Sequence, residues 1–191
     1  MFRSTLRKYT QLPQSKHYPV KTSPMLPPGT FDGKVAFITG GGTGLGRGMA
    51  TNLSTLGATV AITGRRKNVL DDTAAEITEK TGNPVITAQC DVRDPVQVKE
   101  ALRSVAEQSS IPDIVINNAA GNFISPTERL SPNAFATIID IVLKGSVNVT
   151  LEAGKMAIAA EKVNLKKNKE FSLKSIAMLI PGNYDTLYQS R

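Results

Sequence analysis

Six of the chain's 15 glycines lie between Gly40 and Gly48, directly after the run Lys34-Val35-Ala36-Phe37-Ile38-Thr39. A short apolar run ending in glycines is the mark of a strand buried on both faces, as in a parallel sheet. Glycines placed between such a strand and a helix let backbone N–H groups approach a phosphate, which then rests on the helix N-terminus. A flexible linker shares the composition but not the position. Spacing separates the known phosphate loops. A P-loop requires Gly-x4-Gly-Lys-Ser/Thr, whereas Gly41 to Gly46 is followed here by Arg47-Gly48, without the lysine or the metal-binding hydroxyl. The order G-x-G-x-x-G fails in every frame. Thr39-Gly40-x3-Gly44-x-Gly46 does fit, and between a strand and a helix it predicts dinucleotide binding.

The rest of the chain keeps the same rhythm. A helix is expected over 44–56, stopped by Gly57, then a strand over 58–63. A helix over 68–80 ends at Gly82-Asn83-Pro84, and a strand covers 85–89. Asp94-Pro95 opens the next helix, and a fourth strand is expected over 111–117. Ser131-Pro132-Asn133 caps another helical region running past Gly145 to about Ala160. Such alternation implies an α/β fold, a parallel sheet with helices on both faces.

The end of the second strand bears on which dinucleotide. An Asp or Glu there would hold a ribose 2′-hydroxyl. Here Thr63-Gly64 leads into Arg65-Arg66-Lys67. A basic helix start opposes the helix dipole, and a 2′-phosphate gives it a reason. The expected cofactor is therefore NADP(H).

The formal net charge of +7 does not make this a nucleic-acid binder. Residues 1–31 carry five Lys or Arg and no acid, and residues 161–191 carry six basic and three acidic side chains. Residues 32–160 hold 12 basic and 13 acidic groups, so the excess sits at the two ends. The single Cys90 and single His17 exclude a disulfide, a Cys/His zinc site and a Ser-His-Asp triad. No uncharged apolar stretch approaches the roughly 18 residues of a membrane span, and no membrane partner is expected. Residues 1–30 are rich in Arg, Lys, Ser and Thr without a continuous apolar core. They read as a mitochondrial transit peptide or as a disordered basic arm, the first placing the chain in the mitochondrial matrix.

Three motifs in order, Thr39 to Gly46, Cys90-Asp91-Val92 and Asn117-Asn118-Ala119-Ala120-Gly121, resemble the short-chain dehydrogenase/reductase family. The stretch Asn117 to Glu128, with Gly40-Gly41-Gly42-Thr43-Gly44-Leu45-Gly46, is similar to its mitochondrial 2,4-dienoyl-CoA reductases. Val142 stands where most of the wider family has Asn, two residues before Lys144-Gly145. The resemblance spans about Phe31 to Ala160 and implies a Rossmann-type doubly wound sheet, an acyl-CoA substrate and a homo-oligomer. It implies that Gly40, Gly41, Gly42, Thr43, Gly44, Leu45 and Gly46 wrap the pyrophosphate and that Arg65 holds the 2′-phosphate. Asp91 would bond the adenine and Asn118 would lie beside the cofactor. Arg93, Phe123 and Ser131 would contact the acyl-CoA, though packing and helix capping explain Phe123 and Ser131 equally well. Asn122 would hydrogen-bond the thioester carbonyl, where enolate-like charge develops.

The resemblance also implies a Tyr acid and a Lys that lowers its pKa. The four tyrosines are Tyr9, Tyr18, Tyr184 and Tyr188; the first two have no Lys four residues on, and Lys174 is the last lysine. The pair is absent from this sequence. The domain reading is thus a leader over 1–30, the N-terminal part of an NADP-binding domain over 31–160, and a divergent tail over 161–191. The sheet is expected to be incomplete, about four strands of the usual seven, with the tail irregular. Within the tail, Phe171 to Ile180 is apolar enough to enter part of the empty fifth-strand groove. The junction near Ala160 reads as an alternative exon or a shifted reading frame, as in a truncated isoform. The sequence therefore leaves two functions open: an impaired 2,4-dienoyl-CoA reductase of mitochondrial β-oxidation, or a non-catalytic NADP(H)-binding remnant or unstable splice product.

Overall fold

Four of the strands alternate their side chains between two helical layers. In the computed structural model, which describes residues 24–121, 125–166 and 175–177, β1 spans Val35–Thr39 and β2 spans Thr59–Gly64. β3 is Val85–Gln89, β4 is Ile114–Ile116 and β5 is Ser175–Ala177. The order is β3-β2-β1-β4-β5 with every pairing parallel. That order is the doubly wound arrangement, and its reversal of direction falls between β1 and β4.

Four helical segments link the strands. Helix α1 (Gly44–Thr55) and α2 (Lys67–Thr81) cover one face, burying Ala50, Leu70, Ala74 and Ile77 against Ile38, Val60, Ile62 and Ile116. The other face packs α3 (Pro95–Gln108) and a long helix beyond β4 against Val35, Phe37, Ala61 and Val115. Burial on both faces is why these strands read as continuous apolar runs. Phe31 caps the first layer, its N–H bonded to the Leu56 carbonyl at 2.9 Å. Gly57 (φ +98°) lies so close to Asp32 that a Cβ would meet Oδ1 at 1.8 Å, which fixes glycine at this turn.

One expectation is corrected. The fourth strand is shorter than 111–117, because Asp113 turns its carboxylate onto the Val35 N–H (3.0 Å) and starts the pairing only at Ile114. The helical region expected to run past Gly145 to about Ala160 is present: α4 (Pro132–Ile139) continues through one wide helical turn, Asp140–Lys144, into α5 (Gly145–Lys166). In that turn the Gly145 N–H reaches back to the Asp140 carbonyl, where α5 sits against Val92 so closely that a Cβ at Gly145 would lie 2.6 Å from Val92 Cγ2. The tail segment 171–180, expected to enter part of the fifth-strand groove, contributes a short fifth strand there. Ser175, Ile176 and Ala177 pair with Ile114, Val115 and Ile116, so β4 is not left as an open edge along these residues.

The helical run Pro132–Glu161 is long and apolar enough, by length and composition alone, to cross a membrane. Val149 and Ala153 nevertheless pack into the core, and Asn148 Nδ2 donates to the Val92 carbonyl at 3.0 Å. Leu143, Val147, Leu151 and Ile158 remain exposed.

Candidate functional site

The loops that follow β1, β2, β3 and β4 meet at the carboxyl edge of the sheet, beside the β1/β4 reversal where doubly wound folds hold their ligands. They enclose a groove lined by Gly40, Gly42, Thr43, Arg65, Arg66 and Asp91, with Ala119, Ala120 and Ile141 closing its far side.

Threonines and one asparagine fix the glycine loop. Thr39 Oγ1 accepts the N–H groups of Asn118 and Ala119, both at 2.9 Å, and is buried. Asn118 Nδ2 donates in turn to the carbonyls of Thr39 (3.1 Å) and Gly40 (3.2 Å). From the other side Thr73 Oγ1 of α2 donates to the Gly42 carbonyl at 2.7 Å, and the Gly41 N–H donates to the Thr63 carbonyl at 3.2 Å. The loop is thus tied to β2, β4 and α2. Gly46 could carry no side chain: its Cβ would stand 2.2 Å from the Gly40 carbonyl oxygen and 2.6 Å from Asn118 Nδ2.

Helix starts around the groove differ from those elsewhere. Asp94 caps α3 by accepting from the Val96 N–H at 2.9 Å, and Ser131 caps α4 by accepting from Ala134 at 3.1 Å. α1 and α2 begin at the groove with no side-chain cap and no acid in their first turns. Their leading N–H groups and positive dipole ends are left for an anion. Arg65 and Arg66 add two exposed guanidiniums with no carboxylate within ion-pair distance among the described residues. Lys67 is committed elsewhere, to Asp71 and to Thr87 Oγ1 at 3.0 Å.

Asp91 and Arg93 bind one another. Arg93 Nε lies 3.0 Å from each Asp91 carboxylate oxygen, Nη2 adds a bond to Oδ2, and the Arg93 N–H reaches Oδ1 at 3.0 Å. The Arg93 bonds hold the Asp91 carboxyl below its ordinary pKa, with the charge of Arg65 helping, and Asp91 raises that of Arg93. On the groove floor, burial pushes the Cys90 thiol up to about 11 against a smaller pull from the Thr63 hydroxyl. This thiol is a packing group, not a thiolate.

Of the residues expected at the site, Gly40, Gly42, Thr43, Arg65 and Asp91 line the groove together. Gly41 and Gly46 are buried under it, Gly44 takes φ +52° at the helix start, and Leu45 is exposed in the first turn of α1. Asn118 serves the loop with its side-chain amide, and Ser131 caps a helix with its hydroxyl oxygen. Asn122 and Phe123 lie outside the described residues, as do residues 1–23 of the leader. Thr39 and Thr73 were not expected as loop-holding side chains, nor Ile141 as part of the wall, while Arg66 of the expected basic run lines the groove with Arg65. A threonine at a strand end carries no mark of the loop it will anchor.

The short chain dehydrogenase family pattern matches residues 34–164, and the chain belongs to that family. It is 56% identical over 144 residues to an uncharacterized oxidoreductase of Caenorhabditis elegans, covering 75% of this chain and 46% of that protein. A probable 2,4-dienoyl-CoA reductase of the same organism is 50% identical over 147 residues, covering 76% and 48%. The chain thus spans about half the length of these relatives. Among solved structures, a short chain dehydrogenase from Bacillus anthracis is 38% identical at a TM-score of 0.61, covering 76% of this chain and 56% of that one. An alcohol dehydrogenase from Thermococcus sibiricus complexed with 5-hydroxy-NADP is 27% identical at a TM-score of 0.62, covering 67% and 55%.

Proposed function

We propose that this chain binds NADP(H) in the groove at the carboxyl edge of its sheet. The reading rests on one observation: two uncapped helix starts and two arginines, Arg65 and Arg66, without an ion-pair partner among the described residues, face the same glycine-walled groove. The N–H groups at the start of α1 would hold the pyrophosphate, and the arginines would hold the 2′-phosphate. Asp91 would accept from the adenine amine, and Asn118 would keep the loop in shape. When bound, a reduced nicotinamide supplies a hydride.

The likeness to a protein named probable 2,4-dienoyl-CoA reductase supports the lineage of a reductase of such thioesters; NADPH dependence and a place in mitochondrial β-oxidation are our proposal, from Arg65-Arg66 and the basic segment 1–30. In that lineage Asn122 would bond the thioester carbonyl, and Arg93, Phe123 and Ser131 would meet the acyl-CoA. The 191-residue chain has no Tyr with the Lys such a reduction requires, so we read it as holding the cofactor without turnover. Its basic leader would carry it to the mitochondrial matrix.

Thermal unfolding of the full chain with and without NADPH tests the binding. A rise of several degrees at millimolar NADPH is expected, and an unmoved transition would reject the reading. Mixing chain, NADPH and a 2,4-dienoyl-CoA should give no loss of absorbance at 340 nm above a no-protein control, and measurable oxidation would reject the non-catalytic assignment.

A further inference from the structure

The groove contains an acceptor that is already engaged. Arg93 alone directs three N–H groups at the Asp91 carboxylate: Nε–H shared between both oxygens, Nη2–H to Oδ2, and its own backbone N–H to Oδ1, so both oxygens are engaged. A ligand amine approaching Asp91 therefore meets a carboxylate whose two oxygens are both engaged by a neighbour two residues away. The pair is not buried: side-chain exposure is 20% for Asp91 and 42% for Arg93, so the guanidinium has room to leave. Asp140, ion-paired with Lys144, lies near enough for its charge to act weakly on Arg93. The backbone around the pair is held independently of it, since the Asp91 N–H donates to Gln97 Oε1 at 3.0 Å and Asn148 Nδ2 bonds the carbonyls of Val92 and Arg93. Only the guanidinium has to move.

We propose that Arg93 is an internal competitor for the base subsite, holding Asp91 in the free chain until an aminopurine displaces it. This deepens the NADP(H) reading and rests on it. The consequence is an affinity held below what the groove could give, and a guanidinium released at the groove mouth each time a nucleotide binds. Removing the competitor should tighten the base's own contact. Because Arg93 is also a cation that could attract phosphates, the probe must separate the two effects. Adenosine carries the amine without any phosphate.

The experiment compares adenosine and NADPH binding to the full chain, to Arg93→Met, which keeps an apolar stem, and to Asp91→Asn, which loses the carboxylate. Thermal unfolding of each variant establishes that it is folded. Arg93→Met should bind adenosine about threefold tighter, the order expected for freeing a partly exposed ion pair, while Asp91→Asn should bind it more weakly than the unmodified chain. A second readout does not depend on the variants: the Arg93 Nε–H resonance should shift on adding adenosine. Adenosine affinity unchanged or weakened in Arg93→Met, or an unmoved Nε–H signal with adenosine bound, overturns the proposal. Failure of the unmodified chain to bind NADPH instead overturns the dinucleotide reading beneath it, so the two failures are distinct.

Discussion

Thr39 Oγ1 accepts the backbone N–H groups of both Asn118 and Ala119 at 2.9 Å, joining the ends of β1 and β4 where the sheet reverses direction. One hydroxyl thereby satisfies two donors that would otherwise be left inside the fold, and Asn118 answers with its amide on the Thr39 and Gly40 carbonyls. The shape of the glycine loop follows from this exchange.

Replacing Thr39 with Val keeps the volume and removes the acceptor. Leaving donors unmet costs about 1–3 kcal/mol each, so a loss of roughly 2 kcal/mol or more is expected in chemical unfolding. NADPH affinity should fall with it, while Thr39→Ser, which restores the oxygen, should recover most of both. A Val variant as stable as the unmodified chain would show that the hydroxyl is dispensable.

Two glycines of α1 should respond in opposite directions to alanine. At Gly46 the new methyl would meet the Gly40 carbonyl oxygen at 2.2 Å, so the loop must distort and NADPH binding should be lost. At Gly48 a Cβ meets nothing within 4 Å, and the change should stabilise the exposed helix by about 0.5–1 kcal/mol. Denaturant midpoints with and without NADPH distinguish the two. Equal effects at both positions would mean that the packing around Gly46 is not as tight as described.

These positions also mark how far the sequence could be read. The glycine spacing, the apolar runs of β1 to β3 and the stop at Gly82 were legible because they depend on local chemistry: left-handed turns, capping and burial on both faces. The widened Asp140–Lys144 turn was not: there the Gly145 N–H reaches the Asp140 carbonyl, and Gly145 packs closely on Val92, far away in sequence. The shortening of β4 likewise depends on Asp113 finding Val35, 78 positions away in sequence. Asp91 and Arg93 were expected to serve two different ligands, and only the three-dimensional arrangement reveals that they bind each other.

Cys90 should behave as a core residue. Its thiol is raised to about 11 by burial and is 2% exposed, so alkylation by iodoacetamide at pH 8 should proceed only through unfolding and slow further with NADPH. The native state keeps this proton above the pH at which an unfolded thiol gives it up. Unfolded chains then bind fewer protons, and stability falls as pH rises from about 9 toward 11. Cys90→Ala should flatten that decline. Rapid alkylation of the folded chain at pH 8 would contradict the placement of the thiol.

The central claim is that the groove is built for a 2′-phosphate, and the affinity ratio of NADPH to NADH measures it directly. Calorimetric titration of the full chain should show NADPH binding at least tenfold tighter, the gain of about 1.4 kcal/mol expected for charge-assisted bonds from arginine to phosphate. Arg65→Ala with Arg66→Ala should bring the two cofactors to similar affinity by weakening NADPH alone. Equal binding of NADPH and NADH by the unmodified chain, or a double variant that still prefers NADPH, would contradict the account.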